Sequence, residues 1–178
     1  MRILLAALVV LVATVAGWRV APHADRPPLT GTPGEVVYVP DGDTIDVMVD
    51  GSARPVRVIG IDTPEVAHEG RDAACFGDRA GEFTRSLLLH QTVALAPGVE
   101  QTDKYGRMLA AVRPRTGQLA GRDLAETLAS EGLARPLAIA PNDGNAPRIA
   151  VLVAAARAAR RGLWGTCTFH DAYPRARP

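Results

Sequence analysis

Alternation of apolar and polar residues predicts five short β-strands. The clearest run is Thr44–Val49, in which Ile45, Val47 and Val49 fall on one face. The other four predicted strands are Glu35–Val39, Arg54–Ile61, Thr92–Ala96 and Met108–Arg113. Asp50-Gly51 is a typical hairpin turn, so we expect the second and third strands to pair in antiparallel fashion.

Helical spacing of apolar residues appears mainly later in the chain. The predicted helices are Asp78–Leu89 with Asp78 as its cap, a shorter one from Leu124 through Ala129 that ends at Gly132, and Arg148–Arg161. A parallel sheet would need a crossover helix between every pair of successive strands, and here only one predicted helix, Asp78–Leu89, lies between strands. We therefore predict an α+β fold, mainly β, in which a five-stranded OB-type barrel is capped by three α-helices.

The N-terminal segment has the character of a targeting sequence. The apolar run Ile3–Ala16 is 14 residues long and is broken only by Thr14. That is a signal-peptide core length and is shorter than the ~20 residues of a membrane span. Extended to Ala21, the run could instead be an uncleaved anchor. A buried core helix is disfavoured, because prolines and glycines typical of a tether follow it.

These features predict four segments. They are a signal peptide or membrane anchor at 1–21, a Pro/Gly-rich linker at 22–34, a folded domain at 35–166 and a C-terminal tail at 167–178. We expect an exported protein that is secreted or held at the outer face of the cell membrane, with possible membrane anchoring through residues 3–21. A chain of 178 residues suits one such domain.

Composition adds little about binding partners. The net formal charge is only +1, and the 20 basic residues comprise 19 arginines and Lys104. No obligate protein partner is indicated. The two cysteines, Cys75 and Cys167, are predicted to form a disulfide, which export would permit. Two free thiols, or a metal site with His68 or His170, are the alternatives.

Two acidic clusters begin 21 residues apart, Asp41-Gly42-Asp43-Thr44 and Asp62-Thr63-Pro64-Glu65. Antiparallel pairing across Asp50-Gly51 would bring Asp43 and Asp62 to one rim of the barrel. Two carboxylates alone would repel each other, and a divalent cation would relieve the repulsion. Oxygen ligands suit Ca²⁺ or Mg²⁺, and there is no His/Cys set for zinc. Taken singly, each cluster is also an ordinary turn sequence.

Three further side chains complete a set suited to phosphodiester hydrolysis. Glu65, beyond the stiff Pro64, could activate a water molecule as a general base. Arg57 lies between the clusters and Arg107 lies in the later block Asp103–Arg107. Planar guanidinium groups grip phosphate oxygens in two places and stabilise the charge that develops during attack. Arg57 alone would be an ordinary half-exposed strand residue.

At these residues the chain resembles the staphylococcal nuclease (thermonuclease) family. The resemblance covers about Val36 to Trp164, and it is carried by these segments: Asp41–Thr44, Arg57, Asp62–Glu65, Thr102–Arg107 and Gly132-Leu133-Ala134. It implies a five-stranded OB barrel with three helices, which agrees with the pattern-based prediction. It also implies hydrolysis of DNA and RNA with little sequence preference.

The resemblance implies a role for each matching residue. Asp43 and Asp62 would bind Ca²⁺ through carboxylates and Thr63 through its carbonyl. Asp41 and Thr44 would support these ligands without binding the ion themselves. The remaining roles are catalysis by Arg57, Glu65 and Arg107, and contact with a terminal phosphate of the nucleotide by Lys104 and Tyr105.

The chain departs from the family pattern in one functional stretch. The prototype has two tyrosines that help to hold nucleotide shortly after the Gly-Leu-Ala segment, and this chain has Ala138 and Ala140 there. Base stacking typically contributes ~1–3 kcal/mol per base. The alternative to a nuclease is a catalytically silent OB module that binds nucleic acid or a protein partner. Joint presence of Arg57, Glu65 and Arg107 favours the nuclease.

Overall fold

The structure is a computed structural model that describes residues 30–174. The predicted signal peptide or anchor (1–21), most of the predicted linker (22–34) and residues 175–178 of the predicted tail lie outside the described residues. Within 30–174, no helix is both long enough and apolar enough to cross a lipid bilayer.

Seven strands form a barrel and a small ribbon. The strands are β1 Thr32–Tyr38, β2 Thr44–Val49, β3 Ser52–Val58, β4 Gly60–Asp62, β5 Thr92–Thr102, β6 Met108–Pro114 and β7 Arg135–Leu137. Five of them close a barrel in the order β1-β2-β3-β6-β5, in which β3 and β6 are parallel and the other neighbours antiparallel. β4 pairs with β7 beside the barrel. The predicted five-stranded α+β barrel is confirmed.

The helices are more numerous than predicted. They are α1 Gly77–Leu88, α2 Leu124–Ser130, α3 Ala146–Ala158, α4 Leu163–Thr166 and α5 Phe169–Ala172. The first three correspond to the predicted helices, whereas α4 and α5 are single turns too short to show periodicity. Asp78 is not the cap of α1. It lies in the first turn, because the helix begins at Gly77, after the N-cap residue Phe76, whose carbonyl accepts from the Ala80 N–H (3.0 Å).

Two strand boundaries differ from the prediction in ways that matter for the site. The strand expected at Arg54–Ile61 breaks at Ile59, because Gly60 adopts φ +90° and redirects the chain out of the barrel. Asp62 is therefore carried on β4 rather than on the barrel wall. β1 begins at Thr32, so the end of the predicted linker belongs to the strand, where Pro33 and Gly34 pair with β5.

The core follows the alternation that the sequence shows. Ile45 and Val47 of β2 are fully buried, and so is Val56 of the neighbouring β3. Leu124 and Leu128 of α2 and Ile149 of α3 belong to the same core cluster as these strand residues. Burial of a large aliphatic side chain stabilises the fold by about 1.5–3 kcal/mol. This packing gives the loops at the barrel rim a rigid base.

Candidate active site

The loop that carries Asp43 is shaped by its own side chains and by α1. The Asp41 carboxylate accepts from the backbone N–H groups of Asp43 (3.0 Å) and Thr44 (2.7 Å), closing a tight turn just before β2. The buried Thr84 hydroxyl of α1 donates to the Gly42 carbonyl (2.7 Å). A Cβ at Gly42 would lie 2.8 Å from the Thr63 methyl carbon, so glycine permits the first acidic cluster to pack against the second.

The two acidic clusters meet, as the sequence predicted. The Thr63 N–H donates to the Asp43 carboxylate (2.7 Å), and the Thr44 hydroxyl lies 3.4 Å from the other Asp43 oxygen. Asp62 immediately precedes Thr63 at the end of β4. The Asp43 carboxylate is thus contacted by the Thr63 backbone N–H and the Thr44 hydroxyl, while the Asp43 N–H donates to the Asp41 carboxylate.

Arg57 joins the two carboxylates. Its Nη2 lies 3.0 Å from an Asp43 oxygen and 3.1 Å from an Asp62 oxygen. Its Nη1 donates to the carbonyls of Val58 (2.9 Å) and Ile61 (3.0 Å), which fixes the guanidinium at the junction of β3 and β4. Because one nitrogen contacts both carboxylates, their oxygens lie close together at the rim.

Burial gives Asp43 an unusual electrostatic environment. The residue is only 5% exposed. Burial raises the pKa of Asp43 to about 8, and the nearby Arg57 charge acts in the opposite direction. The Thr63 N–H also favours the ionised form, while Asp41 and Asp62 oppose it. A single guanidinium therefore does not fully offset the cost of a charged Asp43.

Glu65 lies at the surface beside this pair. Its backbone carbonyl accepts from the Ala74 N–H (2.9 Å), and a Cβ at Gly77 would overlap that carbonyl oxygen. Close approach of α1 therefore sets the Glu65 backbone. Partial burial raises the pKa of the Glu65 carboxyl, and the neighbouring Asp41 and Asp62 raise it further. These shifts favour a carboxylate that can take up a proton.

Arg107, Lys104 and Tyr105 lie on the hairpin between β5 and β6. Asp103 organises this hairpin by accepting from the backbone N–H groups of Tyr105 (2.9 Å) and Arg107 (3.0 Å). The Arg107 Nε and Nη2 both lie 2.7 Å from one Asp103 oxygen. The hairpin residues Lys104, Tyr105 and Arg107 line a cleft of about 360 Å³ together with Arg57. We name it the hairpin cleft.

Comparison with known proteins identifies the family. Residues 55–166 match the family model described as staphylococcal nuclease homologue. The chain belongs to the staphylococcal nuclease family. The matched range holds Arg57, Asp62, Thr63, Glu65 and Arg107, and it begins after the loop that carries Asp43.

Several nucleases resemble this family member over more than half of the chain. It is 36% identical over 130 residues to the thermonuclease of Staphylococcus hyicus, and the aligned region covers 73% of this chain and 74% of that protein. The thermonuclease of Staphylococcus intermedius is 42% identical over 108 residues, 61% of each chain. The micrococcal nuclease of Shigella flexneri is 37% identical over 107 residues, 60% of this chain and 51% of that protein.

Two residues that contact this nuclease-family site, Arg135 and Tyr173, were not predicted from the sequence. The Arg135 Nε and Nη2 each lie 2.8 Å from an Asp62 carboxylate oxygen. The Tyr173 hydroxyl donates to the Asp62 carbonyl (3.0 Å), and burial raises the pKa of Tyr173. Arg135 is one arginine among 19 and carries no local signal. Only the pairing of Asp62 with Arg135 in the β4–β7 ribbon brings it to the site.

A disulfide attaches the C-terminal segment beside the same site. Cys75 and Cys167 are joined, as predicted, with a Cα–Cα distance of 6.0 Å. The Cys75 N–H also donates to the Asp171 carbonyl (2.9 Å). The predicted tail thus includes α5, and it packs against the loop between β4 and α1. Tyr173 packs against Phe169 and Arg135 there and also bonds to Asp62.

Proposed function

We propose that this chain is an exported, Ca²⁺-dependent nuclease that hydrolyses DNA and RNA with little sequence preference. Its membership of the staphylococcal nuclease family and its nuclease relatives support the general statement that it is a nuclease hydrolase. The observation that carries the finer proposal is the contact of one Arg57 nitrogen with both Asp43 and Asp62, next to Glu65.

The residues at the rim fit a calcium ion. Asp43 and Asp62 bring carboxylate oxygens close together, a bound ion would replace part of the Arg57 and Arg135 contacts to them, and the charge on buried Asp43 is incompletely offset by Arg57. Within residues 30–174 no cluster of three or more His, Cys, Asp or Glu side chains forms a metal site. The Thr63 carbonyl and water would therefore supply the other ligands, as hard cations allow. Bound calcium would polarise a phosphate oxygen and offset developing negative charge.

Other side chains around the rim would supply the general base and the phosphate contacts. Glu65 removes a proton from the attacking water, a role that contributes roughly 10²–10⁴ in rate. Arg57 and Arg107 bind the phosphate oxygens and stabilise the charge that builds up on them. Arg107 holds Asp103 through Nε and Nη2, so its contact with phosphate uses Nη1 or shares Nη2. Lys104 and Tyr105 bind a terminal phosphate in the hairpin cleft.

The disulfide supports export, because disulfides are rare in the reducing cytosol. Residues 1–21 would direct that export, either as a cleaved signal peptide or as an anchor in the cell membrane. Mass spectrometry of the protein recovered from the medium and from the membrane fraction tests this part. Recovery only from the cytosol, with its first residues intact, would contradict export.

A cleavage assay tests the enzymatic part of the proposal. Purified 178-residue chain is incubated with single-stranded DNA, duplex DNA or RNA, in Ca²⁺ or in EDTA. We expect cleavage in Ca²⁺ and its loss in EDTA. Glu65→Gln should lower kcat about 10²- to 10⁴-fold without unfolding the protein. Glu82→Gln is the matched control, since Glu82 is exposed on α1. Equal activity in Ca²⁺ and EDTA refutes calcium dependence, and no cleavage under either condition favours a silent binding module.

A further inference from the structure

A second cleft adjoins the candidate active site and shares no lining residue with the hairpin cleft. Its volume is about 490 Å³, and its lining includes Asp62, Glu65, Arg71, Arg135, Phe169 and Tyr173. We name it the C-terminal cleft. Arg57 lines the hairpin cleft and Asp62 lines the C-terminal cleft, and their side chains are 3.1 Å apart. A strand whose phosphate lies at the rim would therefore extend into both clefts.

Each cleft presents an exposed aromatic ring. In residues 30–174 the large aromatic side chains classed as exposed are Tyr38, Tyr105 and Phe169. Tyr105 (71% exposed) lines the hairpin cleft and Phe169 (52% exposed) lines the C-terminal cleft. A solvent-exposed phenyl ring forgoes the stabilisation of burial, and every nucleobase has a face that can cover it.

The Phe169 ring lies on α5, a segment that is fixed by several contacts. The Thr168 hydroxyl oxygen accepts from the Asp171 N–H (3.2 Å) and so caps α5. The Cys75–Cys167 disulfide attaches this segment to the loop after β4. The Phe169 ring also lies 5.2 Å from the ring of Tyr173, which bonds to the Asp62 backbone. A ligand on Phe169 would therefore meet a surface whose position relative to Asp62 is already set.

Charge in the C-terminal cleft is mixed. Arg71, Arg135 and His170 are opposed by carboxylates, namely Asp62, Glu65 and Asp72. The Arg135 guanidinium is paired with Asp62 at 2.8 Å and lies over the rings of Tyr173 and Phe169, 4.2 Å and 5.7 Å from their centres. The balance gives no strong attraction for phosphate. Recognition here must come from stacking on the exposed ring, with Arg71 as an accessory cation.

We propose that the C-terminal cleft is a nucleotide subsite, in which the base of a nucleotide beside the scissile phosphate stacks on Phe169. The proposal rests on the proposed nuclease function. Stacking on a single ring does not distinguish bases by hydrogen bonding, so the subsite adds affinity with little sequence preference. The partner is single-stranded nucleic acid, because a paired base inside a duplex does not offer its face.

A tetranucleotide with one cleavable linkage tests the subsite. Its outer linkages are methylphosphonates, so only the central phosphodiester can be cut, and four further versions each lack one base. With the full-length chain, we expect Phe169→Ala to raise KM about 5- to 150-fold on the parent, with kcat changed less than twofold. Phe169→Trp should restore KM, and Phe169→Leu should not. Tyr38→Ala, at an exposed ring lining neither cleft, is the control.

The versions lacking one base separate stacking from distortion of the site. One of them should raise the wild-type KM as much as Phe169→Ala does, and Phe169→Ala should add no further loss on that version. An equal penalty from Phe169→Ala on all four versions refutes the subsite, as does an unchanged KM on the parent. If the wild-type chain cleaves nothing, the nuclease proposal fails. Binding of labelled tetranucleotides in EDTA, measured by fluorescence anisotropy with the same variants and the same versions, then tests the subsite without any cleavage.

Discussion

Replacement of Arg57 by alanine removes the main positive charge that offsets the cost of burying an ionised Asp43. In the wild-type protein without metal, burial raises the pKa of Asp43 from 3.8 to about 8, despite Arg57. A carboxyl whose folded pKa lies above its unfolded pKa stabilises the fold while it is protonated. That contribution is complete below pH 3.8 and is lost as the pH rises through the folded pKa.

The size of the effect follows from this linkage. In the wild-type protein the loss from Asp43 ends near pH 8. In Arg57→Ala the pKa of Asp43 lies higher, so stability keeps falling above that pH, by at most ~1.4 kcal/mol per pH unit. Loss of the Arg57 bonds to Asp62 and to the Val58 and Ile61 carbonyls adds a part that does not vary with pH, on the order of 1–3 kcal/mol.

Urea unfolding in EDTA measures both parts. The difference in unfolding free energy between wild type and Arg57→Ala should be at least ~1 kcal/mol larger at about pH 9.5 than at about pH 6.5. Arg148→Ala is the matched control, because Arg148 pairs with Glu126 at 3.2 Å and is 60% exposed. Arg148→Ala should change the unfolding free energy by less than ~1 kcal/mol at both pH values. A difference for Arg57→Ala that is independent of pH would refute this reasoning.

Two further predictions concern the supports of the site. Gly77→Ala should lower both stability and kcat, because the new Cβ would overlap the Glu65 carbonyl oxygen. Gly144→Ala meets no atom within 4 Å and should change neither in thermal unfolding or cleavage assays. Reduction of Cys75–Cys167, which are 92 residues apart, should lower the unfolding free energy by up to ~4–5 kcal/mol and the Tm with it.

These two predictions fail in distinct ways. A Gly77→Ala protein with wild-type kcat would mean that the Glu65 backbone can shift without consequence. An unchanged Tm in reductant, with thiol titration confirming that both cysteines are reduced, would mean that the disulfide adds nothing to stability.

Local patterns were sufficient for the barrel and for the acidic clusters. Alternation in Thr44–Val49 and the turn at Asp50-Gly51 pair Thr44 with Arg57 and so bring Asp43, just before Thr44, to the same end of the hairpin, since register follows from the turn and the buried face. The Asp41 turn is also local, because its side chain bonds the backbone two and three residues ahead. Such features depend on near neighbours, which a sequence displays.

Contacts between distant segments were decided only by the tertiary structure. The strand carrying Asp62 leaves the barrel at Gly60, and the resulting ribbon brings in Arg135 from 73 residues away. Tyr173 reaches Asp62 from 111 residues away. Neither residue lies in a pattern that marks it, because a single arginine or tyrosine acquires its role from the surface it packs against. The sequence by itself therefore determined which side chains could bind a cation and a phosphate, whereas the fold decided which residues hold them in place.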